Sequence, residues 1–374
     1  MGLSRRNFLL ASSSLALSAC TPTTSKEILR MSEEIIEAKA SLETTASLMR
    51  KFDLDIGCAV PWNYSKPEGF WPVVEEHFSL ICPEYQLNWS EDTRYSQSTE
   101  LILDARKRGK KVRGHTLYYY QNLPNFVYFP QWQTATASDA GDLLQTKAEE
   151  RVKRWGKDVS YWVINEAIDS KRGTGMRLDP VTRKLGLDTF RLLIEAVKSV
   201  DPTTEIEMND FVIERKGSHA SNFFLEVAEH LDKHNLKFDR VGFQCHIDWR
   251  PEKDFSTSAI LSSVKKLEQI NVDIAISEID VDDRQFRGTP EQRDLFVADE
   301  IYKALSELKD IPRLKEVTTW SAFDETNWIR KGSKDNLSFQ RSDMSRCGWF
   351  DESMQPKLAY YAMVRALSGR TASS

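Results

Sequence analysis

Short runs of β-forming residues alternate with helical segments from residue 53 to residue 370, and this alternation constrains the fold more than any other sequence feature. Eight β-forming runs recur: Asp55–Val60, Phe78–Cys82, Lys111–Tyr119, Val159–Asn165, Glu205–Asn209, Arg240–His246, Val272–Glu278 and Glu316–Trp320. The helical patterns among them are Glu100–Arg108, Ala140–Trp155, Leu187–Val200, Ser218–His234, Thr257–Gln269, Pro290–Leu308 and Pro356–Leu367. Strands that alternate with helices form parallel sheets through right-handed crossovers. Eight such units over about 315 residues predict an α/β fold, a single closed (β/α)8 TIM barrel over residues 52–370.

A doubly wound sheet is the alternative arrangement of alternating strands and helices. Sheets of that kind that bind dinucleotides have a glycine-rich phosphate turn after the first strand. Here the first strand continues through residues 57–61 (GCAVP), which lack the G-x-G-x-x-G pattern. Several runs, such as residues 274–276 (IAI), are apolar without strict alternation, which is typical of buried parallel strands. Both observations favour the barrel.

The first twenty residues have the pattern of a bacterial export signal. Arg5 and Arg6 precede a short apolar run that ends at Cys20. The string S-R-R-x-F-L resembles the twin-arginine signal, and residues 17–20 (LSAC) resemble a lipobox. We therefore expect residues 1–19 to be cleaved after export and Cys20 to become lipid-modified, giving a periplasmic or cell-surface lipoprotein. A plain secretory signal with an incidental cysteine is the alternative.

A tether and a helix are predicted between this signal and the barrel. Residues 20–26 are short and polar, and residues 27–51 have helical composition without glycine or proline. The 3-4 spacing of their apolar residues predicts a helix with one apolar stripe, which we expect to pack on the barrel. A short coiled coil is the alternative. No other apolar stretch approaches the roughly 18 residues of a transmembrane helix, so membrane attachment is expected only through the lipid.

Composition and single residues exclude several functions. The chain has 51 Lys+Arg against 56 Asp+Glu and no long basic run, so no nucleic-acid partner is expected. Cys58, Cys82 and Cys245 fall in predicted strands and are expected to be buried free thiols, with a Cys58–Cys82 bridge as the alternative. His230 and His234 have the spacing of a metal pair but lack the glutamate of H-E-x-x-H. No metal and no cofactor are predicted.

Chemistry in a TIM barrel lies at the carboxyl ends of the strands, and these ends carry carboxylates, amides, imidazoles and indoles here. Glu166 follows the fourth run and Glu278 ends the seventh. Two carboxyl groups facing each other across a barrel mouth suit glycoside hydrolysis, in which one protonates the leaving oxygen and the other attacks the sugar carbon. Eleven neighbouring strand-end residues are predicted to assist or to bind substrate: Asn88, Trp89, His115, Tyr119, Tyr120, Asn165, Asn209, Gln244, His246, Trp320 and Trp328.

Seven short motifs follow one another in the order found in one enzyme family. They are residues 114–117 (GHTL) with 123–124 (LP), 162–167 (WVINEA), 208–211 (MNDF), 241–246 (VGFQCH), 277–280 (SEID), the W-x-x-x-D-x-x-x-W of 320–328, and 349–351 (WFD) with 356–360 (PKLAY). In this order they resemble glycoside hydrolase family 10, the family of retaining endo-β-1,4-xylanases. The resemblance implies a barrel enzyme that cleaves xylan or a related decorated β-glycan by double displacement. We expect the protein to be a monomer.

The resemblance also implies a role for each matching residue. Glu166 is the general acid/base, Glu278 is the nucleophile, and Asn165 binds the sugar 2-hydroxyl. His246 donates to Glu278 and lowers its pKa, whereas apolar and anionic neighbours raise the pKa of Glu166. His115 and Gln244 contact the sugar, and Trp320 forms the wall of the central subsite. A retaining mechanism implies carboxyl groups roughly 5–5.5 Å apart.

Two segments depart from the family pattern. The family string N-E-M-K-W corresponds to residues 85–89 (YQLNW), so Tyr85 replaces its asparagine and Asn88 its lysine. After His115, Tyr119 and Tyr120 replace its W-H pair. We therefore predict a glycone preference that differs from plain xylan. A cellulase-like retaining β-glycosidase and a catalytically weak, lipid-anchored glycan-binding protein are the alternatives.

Overall fold

Parallel strands close into a ring at the centre of the computed structural model. They are β1 (Asp55–Val60), β2 (Leu80–Pro83), β3 (Lys111–Tyr119), β4 (Tyr161–Asn165), β5 (Glu205–Asp210), β6 (Arg240–Phe243), β7 (His246–Asp248), β8 (Asp273–Asp282) and β9 (Leu314–Thr319). β1 to β6 pair in sequence order, β8 pairs with β6 and β9, and β9 pairs with β1. Because β7 pairs with β8 beyond β6, the two together fill one of eight positions. The predicted (β/α)8 barrel is confirmed.

The structure describes residues 44–61, 69–89, 95–248, 255–284, 286, 288–331 and 345–371. The predicted export signal over 1–19, Cys20, the tether over 20–26 and the predicted helix as far as residue 43 lie outside these ranges. None of the helices within them is long and apolar enough to cross a membrane.

Helices follow the strands of the barrel. They are α1 (Thr45–Phe52), α2 (Phe70–His77), α3 (Tyr95–Lys107), α4 (Ala137–Trp155), α5 (Thr182–Leu185), α6 (Asp188–Val200), α7 (Ser221–Asp232), α8 (Thr257–Leu267), α9 (Pro290–Leu308), α10 (Trp328–Lys331) and α11 (Leu358–Ser368). α9 has the predicted bounds because Thr289 and Gln292 form a capping box and Pro290 takes the first helical position. α2 was absent from the sequence prediction.

The described part of the chain before the barrel holds the helix α1. Thr44 has extended backbone angles, and its side chain accepts a hydrogen bond from the Ser47 N–H, so α1 begins at Thr45. A helix running unbroken from residue 27 to residue 51 is therefore wrong at Thr44. α1 contacts β1 and α11.

Two arginine–glutamate pairs fill the inside of the barrel. Arg113 Nη2 lies 2.6 Å from Glu207 Oε1, and Arg240 Nη2 lies 3.0 Å from Glu316 Oε2, with all four side chains buried. Burying charges is costly unless each is paired, and here each cation faces a carboxylate. The pairs place a permanent positive charge, Arg113, directly beneath the carboxyl end of β8.

Four cysteines in the described chain are buried and free. They are Cys58, Cys82, Cys245 and Cys347. The Cys58–Cys82 bridge that the sequence left open is therefore wrong, and Cys82 Sγ accepts a hydrogen bond from Arg113 Nη1 at 3.6 Å. Cys245 has a left-handed backbone with φ of 58° and donates its N–H to Glu214 Oε2 at 2.8 Å. This kink separates β6 from β7 immediately before His246.

Candidate active site

A cleft of about 670 Å³ opens where the strands end. Ten of the thirteen residues predicted to act or bind at the site line it: Asn88, His115, Tyr119, Asn165, Glu166, Gln244, His246, Glu278, Trp320 and Trp328. The remaining lining residues are Glu84, Tyr85, Gln121, Asn122, Phe211, Glu214, Arg215 and Phe255. One concave site thus combines two carboxyl groups with amides, imidazoles and aromatic rings, which is the composition expected of a sugar site.

The end of β4 presents Glu166 to this cleft. Asn165 is the last residue of β4, and Glu166 follows it with φ of 52°, the left-handed region that residues other than glycine rarely adopt. Such a conformation costs of the order of 1–3 kcal/mol and occurs preferentially at functional sites. The Glu166 N–H donates to the Asn209 carbonyl oxygen at 2.8 Å, which secures the turn.

Glu278 is surrounded by donors and positive charge. Its Oε1 accepts a hydrogen bond from Asn209 Nδ2 at 2.7 Å, and Arg113 Nη1 lies 3.7 Å from the same oxygen. His246 Nε2 lies 3.3 Å from Oε2. Burial alone would raise the pKa of Glu278, but the His246 hydrogen bond and the nearby cations outweigh burial and lower it. Glu278 is therefore ionised at neutral pH, as the sequence predicts.

His246 is a cation held between two carboxylates. Its Nδ1 lies 2.8 Å from Asp280 Oδ1, and Asp280 Oδ2 accepts hydrogen bonds from Trp328 Nε1 at 2.5 Å and Ser321 Oγ at 3.2 Å. Burial acts to lower the pKa of His246, but Asp280 and Glu278 raise it well above its usual value. His115 behaves in the opposite way, because burial lowers its pKa to about 4 and leaves it neutral.

Glu166 has the opposite electrostatic environment to Glu278. Burial, and after it the negative charge of Glu278, raises the pKa of Glu166, while Arg177 acts against them. Its Oε1 accepts from the Tyr119 hydroxyl at 3.2 Å and from the Gln244 amide at 3.5 Å. The raised pKa is the direction that the sequence predicts for a proton donor. The cleft therefore contains one carboxyl group that favours its proton and one that favours its charge.

Three predicted substrate contacts lie elsewhere in the structure. Asn209 is buried beneath the cleft and bridges Asn165 Oδ1 and Glu278 Oε1, so it supports the carboxylate and does not face the sugar. Trp89 is 3% exposed and donates its indole N–H to the Leu117 carbonyl oxygen, so the prediction that it stacks on sugar is wrong. Tyr120 is absent from the lining and packs under the Arg177 guanidinium at 4.1 Å.

Several residues that the sequence analysis missed support the site. Arg113 lies 3.7 Å from Glu278, and Asp280 lies 2.8 Å from His246. The only sequence signal for Arg113 was a charge inside a predicted strand. Phe211 and Arg215 line the cleft, and the guanidinium of Arg215 lies 4.7 Å from the Phe211 ring centroid. Phe211 directly follows the matched Asn-Asp of β5, so its position was available from the motif.

The histidine pair set aside in the sequence lies on the outer wall of the barrel. Ligand atoms of His230, His234 and Asp188 lie within 4.8 Å of one another. Asp188 is already engaged, because its Oδ1 lies 2.8 Å from Arg191 Nε and 3.1 Å from His230 Nε2. The His230–Asp188 hydrogen bond joins α7 to α6, and the Arg191–Asp188 ion pair lies within α6.

Comparison with known proteins gives a family and several relatives. The model of "Glycosyl hydrolase family 10" matches residues 44–366. The chain is 25% identical to endo-1,4-beta-xylanase B of Thermotoga neapolitana over 331 residues, covering 84% of this chain and 89% of that protein. It is also 25% identical to endo-1,4-beta-xylanase 5 of Pyricularia oryzae over 311 residues, covering 79% and 71% of the two chains.

Solved structures share the fold. Xylanase 10B of Thermotoga petrophila, solved in complex with xylobiose, superposes with a TM-score of 0.73 at 22% identity, covering 87% of this chain and 97% of that chain. Xylanase B of Clostridium stercorarium superposes with a TM-score of 0.72 at 19% identity, covering 86% and 99%. At these identities the likeness concerns the barrel architecture.

Proposed function

This chain belongs to glycosyl hydrolase family 10, and from that premise we propose that it is a retaining endo-β-1,4-glycanase of the xylanase type. The observation that carries the proposal is the contrast between the two carboxyl groups of the cleft. Burial and anionic surroundings raise the pKa of Glu166, while His246 and Arg113 lower the pKa of Glu278. Xylanase relatives that align over most of their length support the substrate class.

The two carboxyl groups have complementary roles in the proposed reaction. The Glu278 carboxylate attacks the anomeric carbon as Glu166 gives its proton to the leaving glycosidic oxygen, and a covalent glycosyl ester forms. Glu166, now ionised, then takes a proton from water, and that water attacks the anomeric carbon and releases Glu278. Asn165 Nδ2 lies 3.5 Å from Glu166 Oε1, and Asn209 links Asn165 to Glu278. We assign the bond to the sugar 2-hydroxyl to Asn165. The sugar leaves with the β configuration with which it entered.

The configuration of the first product tests this proposal. Hydrolysis of xylohexaose followed by ¹H NMR should show the β-anomer first, with the α-anomer appearing only at the rate of mutarotation. Appearance of the α-anomer first would mean inversion and would overturn the mechanism. Products from β-glucan with none from xylan would favour the cellulase-like alternative, and no turnover with measurable binding would favour the glycan-binding alternative.

The glycone end of the cleft supports a preference other than plain xylan. Asn88 is buried and lines the cleft, and its Oδ1 has no hydrogen-bond partner in the described part of the chain. As an acceptor, this oxygen suits a sugar hydroxyl that donates a hydrogen bond, a role that the family's lysine, which only donates, does not fill. Tyr85 lines the same cleft, 49% exposed, and offers a ring where the family has an amide. A buried polar group without a hydrogen-bond partner costs of the order of 1–3 kcal/mol. Replacing the family's lysine by Asn88 and its asparagine by Tyr85 therefore changes which sugar is preferred.

A panel of substrates measures that preference. We expect kcat/KM on at least one substituted xylan or related decorated β-glycan to exceed that on unsubstituted xylooligosaccharides by roughly tenfold, the value of one matched buried hydrogen bond. The Asn88→Lys variant should reduce this difference, and the exposed substitution Lys233→Asn serves as its control. Comparable kcat/KM values across the whole panel would contradict the altered preference.

We also propose that the enzyme is exported and anchored by lipid at Cys20. The support is the order of Arg5-Arg6, the apolar run and residues 17–20 (LSAC) in the sequence. Labelling of expressing bacteria with radioactive palmitate should mark the wild-type protein and leave Cys20→Ser unmarked. Equal labelling of both proteins would contradict the anchor, and a Cys347→Ser variant controls for cysteine replacement as such.

A further inference from the structure

In the described part of the chain, one oxygen of Glu166 receives all the side-chain hydrogen bonds to that carboxyl group. Oε1 accepts from the Tyr119 hydroxyl at 3.2 Å, from Gln244 Nε2 at 3.5 Å and from Asn165 Nδ2 at 3.5 Å. The Tyr119 contact is the shortest of the three. Tyr119 stands where family 10 has tryptophan, so this hydroxyl is a feature of this chain.

We propose that Tyr119 is a positioning residue that keeps Oε1 of Glu166 occupied, so that Oε2 is the oxygen that gives and takes the catalytic proton. This inference rests on the proposed function, because it assigns the proton of the proposed acid/base to one atom. In the first step Oε2–H passes its proton to the leaving oxygen. In the second step Oε2 receives a proton from the attacking water.

Amide chemistry explains why the proton avoids Oε1. The nitrogens of Gln244 and Asn165 only donate, so a proton on Oε1 would face two N–H groups. The Asn165 amide directs its nitrogen toward Glu166 because its Oδ1 accepts a hydrogen bond from Asn209 Nδ2 at 2.7 Å. The Ser277 hydroxyl donates to Asn209 Oδ1 at 2.6 Å and so fixes the orientation of the Asn209 amide. The orientation of the carboxyl group is thus set by a chain of buried hydrogen bonds.

Tyr119 is suited to a permanent donor role. It is the last residue of β3 and pairs in register with Asn165 of β4, so its backbone is fixed beside the residue that precedes Glu166. Burial, and after it the charge of Glu166, raises the pKa of Tyr119, so the phenol stays protonated throughout the working range. A neutral hydroxyl donates to Glu166 whether or not that group is ionised.

The charged and titratable groups around Glu166 define the expected pH effect. Glu278 on β8 and Asp210 on β5 oppose its ionisation, and Arg177 in the loop after β4 favours it. His246 on β7 lies 3.3 Å from Glu278, and the charges with the largest effect on the pKa of Glu166 are those of Glu278 and Arg177. A hydroxyl that donates to the carboxylate stabilises the ionised form, so Tyr119, like Arg177, lowers the pKa of Glu166. Loss of the hydroxyl therefore raises the pKa of Glu166.

The Tyr119→Phe variant tests the inference through its dependence on the leaving group. On xylooligosaccharides, whose leaving oxygen needs a proton, kcat/KM should fall roughly tenfold, a fraction of what general acid catalysis contributes. On a 2,4-dinitrophenyl β-xylobioside, whose leaving group departs unprotonated, kcat/KM should stay within about twofold, because this constant reports only the first step. The alkaline limb of kcat/KM on xylooligosaccharides should move to higher pH.

Controls separate this inference from folding and from the proposed function. Tyr128→Phe removes another phenol of the same loop region, one whose hydroxyl contacts the Tyr120 carbonyl, and should match wild type on both substrates. Tyr119→Met also removes the hydroxyl and replaces Tyr119→Phe if that variant unfolds. If the wild type is active but Tyr119→Phe loses kcat/KM equally on both substrates, this inference is overturned and the proposed function is not. The same holds if the alkaline limb of Tyr119→Phe does not move. An inactive wild type overturns the proposed function.

Discussion

Replacement of Glu278 by alanine is expected to lower kcat on xylan by roughly 10⁴–10⁶-fold, the scale on which loss of a covalent nucleophile acts. No other carboxylate takes over, because Asp280 is engaged by His246, Trp328 and Ser321. The contacts that lower the pKa of Glu278 are the same ones that make it a carboxylate at the start of the reaction. Steady-state hydrolysis of xylan measures the loss.

Azide distinguishes loss of the nucleophile from a damaged fold. In Glu278→Ala a small anion fits the space that the carboxylate leaves, and on an activated aryl β-xyloside it should form the α-xylosyl azide, with inversion. Glu229→Ala is a matched control, because Glu229 is 75% exposed and pairs only with Lys233 in the described chain. Residual xylan hydrolysis above about one hundredth of wild type would contradict a nucleophilic Glu278.

The sign of the pH dependence follows from the same contacts. Because the pKa of Glu278 lies below its ordinary value of 4.5, the nucleophile is ionised above that pH and kcat/KM falls as the pH drops through the lowered pKa. The pKa of Glu166 lies above 4.5, so kcat/KM falls again as the pH rises through the raised pKa. The pH profile of kcat/KM is therefore bell-shaped. The two pKa shifts move its acidic limb to lower pH and its alkaline limb to higher pH.

The barrel and its two carboxyl groups were predictable because both depend on local patterns. Alternating strands and helices define a parallel barrel, and a residue at the end of a strand of such a barrel faces the cleft. This rule alone was enough to predict that Glu166 and Glu278 face the cleft. Ten of the thirteen candidates line one cleft although the predicted strand bounds differ from the observed ones by up to four residues.

The residues that sequence reasoning misplaced depend on side-chain direction and on contacts distant in the chain. Trp89 follows Asn88 directly, yet Asn88 lines the cleft and the indole of Trp89 turns inward to the Leu117 carbonyl oxygen. Asn209 lies beneath the cleft because it bridges β4 and β8, more than forty residues away in either direction. Arg113 is explained only by its partner Glu207 on a different strand.

Replacement of Glu166 by alanine is expected to affect the two chemical steps differently. On xylan, where the leaving oxygen must be protonated, kcat/KM should fall by roughly 10²–10⁴-fold, the contribution of a general acid. On a 2,4-dinitrophenyl β-xylobioside the first step needs no proton, so kcat/KM should change little while kcat falls with the loss of base catalysis. The glycosyl-enzyme on Glu278 should therefore accumulate, and intact-mass spectrometry after a rapid quench detects it.

Azide again supplies the decisive control, with the opposite stereochemical result. In Glu166→Ala the nucleophile is intact, so azide attacks the glycosyl-enzyme from the side of the lost acid/base and should give the β-xylosyl azide. Wild type, whose Glu166 is ionised in the glycosyl-enzyme, repels the anion and should give none. The α-azide from Glu166→Ala, or equal losses of kcat/KM on both substrates, would contradict the assignment. Because Glu278→Ala should give the α-azide, the two variants together assign each carboxyl group to one face of the sugar.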